Sequence, residues 1–452
     1  MIDEIVIQDF KSYDQANLVL APLTLLIGAN ASGKTNAIEA LRFLSRMARG
    51  QRLNDILEDF RQDDLLIRGK VSDIPYDGQN TSTQFPLIGF SVFLSLPSKW
   101  RYLSISLEMQ AAPVDSRVIF ESVNEEWDAK SPVLYETGIN VEAYIHQVQV
   151  SYNSFTNRKH SSLAVSNRQA IFTQLDVPSR FETKKAQEII PAVVTEFQEA
   201  LRNIIFLDLN PRAMVDYSFI VDKVLRPDGR NLSSVLYDIC ETQQRKAEVL
   251  RFIGELPEQR ISDVKFLVGP RQEVMVQLTE TFGGQTTDRE APLLSDGTLR
   301  VLAIAAALLS APTGGLVVVE EIDNGVHPSR ARELLANILA ASKKNSLRVL
   351  LTSHNPALLD TLPKESVPDV VCCYRDPEQG DSRLVRLADL TDYPDLVARG
   401  PLGQLMTQGL LDRYLKNQRT PEQKAEQAQE WLRQLQLDDE EEDAIEPVKQ
   451  GE

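Results

Sequence analysis

Between residues 28 and 35 the chain reads Gly28-Ala29-Asn30-Ala31-Ser32-Gly33-Lys34-Thr35. This stretch fits G-x-x-x-x-G-K-[ST], the pattern of a phosphate-binding loop. An apolar run of strand length, Leu23 to Ile27, precedes it, and Asn36 to Ala48 has the pattern of a helix. In that setting the glycines let backbone N–H groups surround phosphate oxygens, and the start of the helix adds partial positive charge. The sequence therefore predicts a nucleotide site in an α/β fold, with an accidental glycine-rich turn as the alternative.

Two kinds of side chain complete this chemistry. Lys34 has the length to reach the β- and γ-phosphates, and the hydroxyl of Thr35 is a ligand for Mg²⁺. Far downstream, the apolar run Leu316 to Val319 ends in Glu320-Glu321. Paired carboxylates at the end of a buried strand suit metal-dependent hydrolysis, because one holds the metal and the other polarises the attacking water.

Two further motifs flank the paired carboxylates. On one side, Leu294-Ser295-Asp296-Gly297-Thr298 opens an apolar helical run, Leu299 to Ser310. On the other side come Asp323-Asn324-Gly325 and then an apolar strand, Arg348 to Leu351, which is followed by His354. A histidine after such a strand is placed to contact a γ-phosphate.

Each motif also has a purely structural interpretation. Ser295 is a good helix cap, Glu320-Glu321 is also compatible with a solvated strand end, and His354 with a turn residue bonded to backbone. The order of the motifs favours the functional interpretation, because four such elements seldom follow one another in this order by accident.

This order resembles that of the ATP-binding-cassette (ABC) ATPases, and more narrowly that of their SMC/RecF/OLD branch. The similarity covers about the first 70 residues and roughly residues 200 to 415. It rests on an opening strand with an FKSF-like element, the GxNxSGK[ST]N form of the loop, an SDGT-R signature and an EE-x-[DE]-N-G-hHP element. In this chain these are Ile5 to Tyr13, the loop with Asn30 and Asn36, Leu294 to Arg300, and Glu320 to Pro328. Glu320 departs from many relatives, which carry Asp there.

The resemblance implies a role for each candidate site residue. The nucleotide would be bound by Gly28, Asn30, Ser32, Gly33, Lys34, Thr35 and Asn36, with Mg²⁺ held by Thr35 and Glu320. Catalysis would use Glu321 as the base, together with Lys34 and His354. A second head would contribute Ser295 and Gly297 in trans, and Asp323 would cross the interface of the ATP-bound dimer. Such ATPases place a glutamine near Mg²⁺; the candidates are Gln62 and Gln84, and a surface glutamine is the simpler interpretation of each.

The resemblance also implies a fold: an ABC-type α/β head with a mixed β core, an antiparallel side sheet and an inserted helical lobe. The expected parts are the first half of the head (1–70), a strand-rich side sheet (71–182), a helical lobe (183–260), the second half of the head (261–418), and a C-terminal helix with an acidic tail (419–452). Within the last part, Ala428, Trp431 and Leu435 share one helical face. Docking of that helix on the body is the simpler interpretation, and binding of a partner is the alternative.

Composition restricts the setting. The formal net charge of −17 argues against broad nucleic-acid binding, although a local basic patch remains compatible with it. No signal peptide or membrane-spanning run is evident, and three cysteines without metal spacing suit a reducing cytoplasm. No TOPRIM or HNH nuclease pattern is visible either. A homodimer or larger homo-oligomer is expected.

Two functions remain open at this point. One is a Mg²⁺-dependent ATPase of a bacterial antiphage system that controls a separate effector, such as a TOPRIM or HNH nuclease or another toxin. The other is a RecF-like DNA-repair ATPase. The acidic charge favours the first, and the SDGT signature disfavours a transporter ATPase.

Overall fold

The structure is a computed structural model. It describes all residues except 60–66, 77, 79–84, 112–113, 129, 139–145, 157–160, 257–258, 283, 325–327, 391 and 417–452.

The described residues form nineteen strands and ten α-helices. The strands are β1 (Ile2–Phe10), β2 (Tyr13–Val19), β3 (Thr24–Ile27), β4 (Leu87–Leu94), β5 (Tyr102–Glu108), β6 (Arg117–Asn124), β7 (Val133–Thr137), β8 (Gln147–Tyr152), β9 (Ser161–Ser166), β10 (Ile205–Leu207), β11 (Ser218–Phe219), β12 (Glu255–Leu256), β13 (Gln259–Val268), β14 (Glu273–Phe282), β15 (Gln285–Glu290), β16 (Leu316–Val319), β17 (Arg348–Ser353), β18 (Val371–Arg375) and β19 (Ser382–Arg386). The helices are α1 (Lys34–Met47), α2 (Leu53–Asp59), α3 (Lys184–Arg202), α4 (Leu232–Tyr237), α5 (Lys246–Ile253), α6 (Asp296–Ser310), α7 (Pro328–Asn345), α8 (Tyr393–Ala398), α9 (Leu402–Thr407) and α10 (Leu410–Lys416).

A six-stranded sheet forms the centre of the molecule, in the order β10-β16-β17-β3-β18-β19. Its strands pair in parallel except for the antiparallel pair β18 and β19. β3 and β16 are four-residue strands in which every residue is buried, as expected for a parallel sheet covered on both faces. Because β3, β16 and β17 run in parallel, the segments that follow them meet at one edge of the sheet, and those segments carry the phosphate loop, the paired carboxylates and His354.

An eight-stranded antiparallel sheet lies beside this core, in the order β2-β1-β4-β5-β6-β7-β8-β9. In β8 the even-numbered residues are buried, whereas Gln147 and Gln149 are exposed and Ser151 is half-buried. This alternation is typical of a sheet with one covered face. The predicted fold class, a mixed core with an antiparallel side sheet, is confirmed. The pattern of residues 1–27 predicts two strands, around Ile5 to Ile7 and at Leu23 to Ile27, but three form. β2 has a weak pattern, because Leu18 is the one large apolar side chain in its interior.

The region from 183 to 260 is helical but also supplies strands to two sheets. β10 joins the central sheet, while β11 and β12 join a five-stranded antiparallel sheet with β13, β14 and β15. The apolar spacing from Pro191 to Leu201 predicts a helix that starts at Pro191, but α3 begins earlier, at Lys184, where Thr183 caps it. The apolar spacing from Leu232 to Ile253 predicts one helix, which is wrong, since a π-helical turn at Asp238–Thr242 and a positive φ at Gln244 divide it.

The sequence also predicts one helix from Leu402 to Leu415, and the structure divides it into α9 and α10. Gly409 lies between them with φ 70°, a conformation that glycine adopts without steric cost. The backbone N–H of Gly403 donates to the Asp360 carboxylate at 2.8 Å, which ties α9 to the segment that follows β17. The predicted helix after Thr420 lies outside the described residues.

Candidate functional site

The predicted motifs converge on one cavity of about 430 Å³. Its walls include most of the candidate residues: Asn30, Ser32, Gly33, Lys34, Thr35, Asn36, Glu320, Glu321 and His354. Thr352 and Ser353 at the end of β17, together with the cations Arg68 and Arg375, also line it and were not predicted. We refer to it as the nucleotide cavity.

Two glycines let the phosphate loop lie close to the backbone that surrounds it. Gly33 has φ 120°, and a β-carbon there would lie 2.4 Å from the Ser382 hydroxyl. Gly28 does not line the nucleotide cavity, but a β-carbon on it would lie 2.2 Å from the Cys373 carbonyl oxygen. Any larger residue at either position would push the loop away from β18 and β19.

Side chains from distant parts of the chain hold the loop from beneath. The Tyr13 hydroxyl donates to the Gly33 carbonyl at 3.0 Å. The Ser382 hydroxyl donates to the Ser32 carbonyl at 2.6 Å, and the Cys373 thiol donates to the same carbonyl at 3.3 Å. All three side chains are buried, so these contacts form a floor that fixes the loop's carbonyls away from the cavity.

Lys34 spans its own loop. Its ammonium donates to the Gly28 carbonyl at 2.6 Å and to the Ala29 carbonyl at 2.9 Å. Burial lowers the pKa of Lys34, while Cys373, Glu321 and Asp323 act in the opposite direction. The buried Ser32 hydroxyl has no hydrogen-bond partner among the described residues. A buried hydroxyl without a partner beside a cationic loop fits a phosphate oxygen as its missing acceptor.

Glu320 is bound to a cation from α1. Arg42 forms an ion pair with its carboxylate and also lies over the Phe206 ring, 5.5 Å from the centroid. Burial raises the pKa of Glu320, and the charge of Arg42 opposes this shift. Many relatives carry aspartate at this position. The longer glutamate side chain of this protein ends at the Arg42 guanidinium.

Glu321 adopts an uncommon backbone conformation. Its φ is 50°, in the left-handed region that residues with a β-carbon seldom occupy. Its N–H donates to the Thr352 hydroxyl at 3.0 Å, and the Asn324 amide donates to its carboxylate. These contacts from β17 and from the following turn hold the exposed carboxylate at the mouth of the cavity. Backbone strain of this kind is found at functional sites more often than elsewhere.

Besides Gly28, three predicted residues do not line the cavity of their own chain. Ser295 caps α6, its hydroxyl accepting from the Thr298 N–H at 3.2 Å, and it is exposed; Gly297 follows in the first turn. Asp323 is half-buried, and one of its carboxylate oxygens has no hydrogen-bond partner among the described residues. Gln62, Gln84 and His327 lie outside the described residues.

The donor set is compatible with Mg²⁺ held jointly by protein and nucleotide. The Thr35 hydroxyl and the Glu320 carboxylate are both oxygen ligands, and Mg²⁺ usually binds one or two protein carboxylates plus substrate phosphates. Within the described ranges, no group of three or more His, Cys, Asp or Glu side chains is arranged to hold a metal ion. No helix in those ranges has the length and apolarity that crossing a membrane requires.

Comparison with known families identifies two nucleotide-binding domain types. A family described as "AAA ATPase domain" matches residues 1–191. A second family, described as "AAA domain, putative AbiEii toxin, Type IV TA system", matches residues 147–360. Together the two matches span the phosphate loop, Ser295, the paired carboxylates and His354. They end before β18, β19 and the helices α8 to α10.

Curated relatives match over a short segment. The DNA replication and repair protein RecF of Ligilactobacillus salivarius is 37% identical over 73 residues, which is 16% of this chain and 19% of that protein. RecF of Renibacterium salmoninarum is 38% identical over 72 residues, 16% of this chain and 18% of that protein. The chain therefore matches about a fifth of the length of these relatives.

Solved SMC head structures are also similar. One is an SMC head bound to the C-terminal winged-helix domain of ScpA, with 12% identity, a TM-score of 0.48, and coverage of 85% of this chain and 97% of that one. Another is the SMC head domain from Thermotoga maritima, with 12% identity, a TM-score of 0.42, and coverage of 85% and 98%.

Proposed function

Since the chain belongs to the SMC/RecF-like family of ABC-type ATPases, we propose that it hydrolyses ATP with Mg²⁺ between two heads and thereby controls a separate effector protein. The observation that carries the enzymatic part is the single cavity that brings the phosphate loop, Glu320, Glu321 and His354 together.

Binding would begin at the loop. Its N–H groups and the start of α1 face the phosphates, and Lys34 exchanges the Gly28 and Ala29 carbonyls for phosphate oxygens. Because both carbonyls belong to the same loop, this exchange needs only a movement of the lysine side chain. Arg68 and Arg375 add positive charge to the wall of the cavity.

Hydrolysis would use the two adjacent carboxylates differently. Glu320, held by Arg42, would keep a carboxylate oxygen for Mg²⁺ together with Thr35. The metal, when bound, neutralises charge on the phosphates. Glu321, held by Thr352 and Asn324, would accept the proton of the attacking water. His354 would contact the γ-phosphate from the end of β17.

The second head completes the site in this proposal. Ser295 and Gly297 stand at the exposed start of α6, which offers backbone N–H groups and a hydroxyl to a phosphate from outside the chain. Asp323 would cross the same interface. Two chains related by a two-fold axis would thus bury two nucleotides between them.

The effector part of the proposal rests on the toxin-related family description over residues 147–360 and on the net charge of −17. An acidic body is a poor general ligand for DNA, so a protein partner in antiphage defence is the better candidate. The RecF matches favour the second candidate, a DNA-repair ATPase that binds DNA directly.

A trapped variant distinguishes the two candidates. Glu321→Gln should accumulate ATP-bound dimers, which are purified with the products of the neighbouring genes and, separately, with duplex and single-stranded DNA. We expect an ATP-dependent complex with a neighbouring protein. A DNA complex without any protein partner would favour the repair function, and Lys34→Ala should form neither complex.

A further inference from the structure

A second cavity, of about 610 Å³, adjoins the phosphate loop. We call it the C-terminal cavity, because α9 and α10 form one wall. Met406, Leu411 and Leu415 supply apolar surface on that wall, and Ile27 and Cys372 supply it on the wall of the central sheet. Lys416, the last residue of α10, also lines it.

The two cavities share part of their walls. Asn30, Ala31, Ser32, His354 and Arg375 line both the nucleotide cavity and the C-terminal cavity. Any group that fills the C-terminal cavity therefore contacts the phosphate loop and the residue proposed to contact the γ-phosphate.

The helical wall is fixed in place. Besides the 2.8 Å bond from Gly403 to Asp360, the backbone of α9 approaches the segment after His354 so closely that a β-carbon on Gly403 would lie 2.4 Å from the Pro356 carbonyl oxygen. Arg399 packs over the Tyr414 ring at 5.7 Å. The cavity is thus part of the packed structure.

The segment of the chain that begins beside the C-terminal cavity is a suitable occupant for it. Residues 417–452 follow directly after Lys416. Their sequence predicts a helix from Pro421, with Ala428, Trp431 and Leu435 on one face. A helix of about 16 residues from Pro421 spans roughly 24 Å. It is therefore long enough to return along α10, which measures about 10 Å. Asp438 to Asp443 follow as six consecutive carboxylates.

The charge of the C-terminal segment also complements the charge of the two cavities. Arg375 and Lys416 line the C-terminal cavity, in which Asp412 is the one carboxylate among the lining residues, and Lys34 and Arg68 line the adjoining nucleotide cavity. A run of carboxylates is attracted to the same cations as a triphosphate, so a segment anchored by its apolar face would carry a phosphate mimic next to the loop.

We propose that the segment 417–452 docks into the C-terminal cavity of its own chain, with Trp431 and Leu435 against α9 and α10, and that its acidic run competes with nucleotide. The competition depends on the proposed function, whereas the docking does not. A segment that is docked about nine-tenths of the time lowers the apparent nucleotide affinity about tenfold.

Photo-crosslinking tests the docking on the full chain without nucleotide. Benzoyl-phenylalanine replaces Trp431, and the matched control carries it at Arg433, on the opposite face of the predicted helix. We expect the first protein to crosslink within one chain to Met406, Leu411 or Leu415, and the control to do so much less. Crosslinks elsewhere, or only between two copies, would overturn docking in cis.

Nucleotide affinity tests the competition. Trp431→Ser, and separately the change of residues 438–443 to Asn and Gln, should each tighten binding of a non-hydrolysable ATP analogue with Mg²⁺ by about five- to tenfold. The effect of the charge change should shrink at about 1 M salt, where ionic interactions are screened within roughly 3 Å. Arg433→Ser should bind like the unaltered chain, and equal affinities throughout would overturn the competition. If the analogue binds none of these proteins, the proposed ATPase function fails while the crosslinks still decide the docking.

Discussion

At the scale of single residues, Glu321 concentrates the chemistry of the site in a strained backbone position. Its φ of 50° is held by a bond from its own N–H to Thr352 and by the Asn324 amide on its carboxylate. Both partners come from elements that also border the cavity. In the proposed reaction, these contacts would orient the carboxylate as a general base before any nucleotide binds.

Replacing this carboxylate by an amide should separate binding from hydrolysis. Glu321→Gln is expected to keep ATP binding and to lose about 10²–10⁴-fold in turnover, because the amide does not accept a proton from water. Steady-state phosphate release and binding of a fluorescent nucleotide measure the two effects. Glu333→Gln on α7 serves as the control, and unchanged turnover in Glu321→Gln would rule out its role as the base.

The contact between Arg42 and Glu320 gives a second prediction at this scale. Partners that orient a metal ligand typically contribute 10–100-fold to metal affinity. Arg42→Met should therefore raise, by about that factor, the Mg²⁺ concentration needed for half-maximal nucleotide binding. Arg42→Lys should restore part of the loss, and Arg46→Met on the same helix should cause none. An unaltered Mg²⁺ requirement would show that Glu320 is positioned without Arg42.

Those residues of the cavity that belong to a local sequence pattern were predictable from the sequence. The phosphate loop, Glu320, Glu321 and His354 each follow a short apolar run, so spacing along the chain identifies them. Tyr13, Cys373 and Ser382 have no such pattern, because their role arises only when segments far apart in sequence pack under the loop. Arg68 and Arg375 were missed for the same reason.

At the scale of elements, a buried carboxylate connects the side sheet to the segment before α3. Glu121 on β6 accepts from the Tyr135 hydroxyl at 2.8 Å and from the Ile171 N–H at 2.7 Å, and also from the Phe172 N–H. Burial nevertheless raises the pKa of Glu121 to about 7. The protonated carboxyl is thus favoured in the folded protein.

This shift predicts a pH dependence of stability. The folded pKa of about 7 exceeds the unfolded value, so the contribution of Glu121 is full below about pH 4.3 and is lost as the pH rises through 7. The loss amounts to about 4 kcal/mol at most. Urea unfolding from pH 5 to 8 should show this decline, and Glu121→Gln should flatten it. The exposed neighbour Glu136→Gln should leave the decline in place; identical slopes in all three proteins would contradict the assignment.

Most elements, but not their ends, were predictable. Strands with a clear alternation, such as β5 and β8, and the helix after the phosphate loop were predicted correctly. The divided helices were not, since a π-helical turn or a single positive φ leaves the apolar periodicity almost unchanged. β10 escaped detection because three residues carry too little pattern to distinguish a strand from the helical region around it.

At the scale of the whole molecule, the proposed dimer makes each active site a composite of two chains. Ser295→Arg should abolish hydrolysis by placing a long side chain in the interface while leaving nucleotide binding to one head intact. Lys34→Ala should abolish hydrolysis by removing the phosphate contact. A mixture of the two inactive proteins should recover activity, because one of the two sites in a mixed dimer then combines an intact loop with an intact signature. Failure to recover activity with both proteins folded would argue against sites shared between chains.

A final prediction concerns the cleavage of nucleic acid. The pure protein is expected not to cleave plasmid, single-stranded DNA or tRNA with Mg²⁺ or Mn²⁺, with or without ATP, because nuclease metals need clustered ligands on a rigid scaffold. Cleavage that survives Lys34→Ala would reveal a nuclease centre apart from the nucleotide cavity. Cleavage only in the presence of a neighbouring gene product would instead assign the chemistry to the effector.

The topology of the central sheet has a consequence for how the protein is made. β3 emerges early in translation, yet both strands that pair with it, β17 and β18, and the floor residues Cys373 and Ser382 are synthesised near the end. A nascent chain on the ribosome therefore displays the phosphate loop with Tyr13 as its one available floor residue, long before β18 and β19 are made. We therefore expect that nucleotide does not assist the early stages of folding, and that a translation product truncated before β17 carries the motif but does not bind ATP.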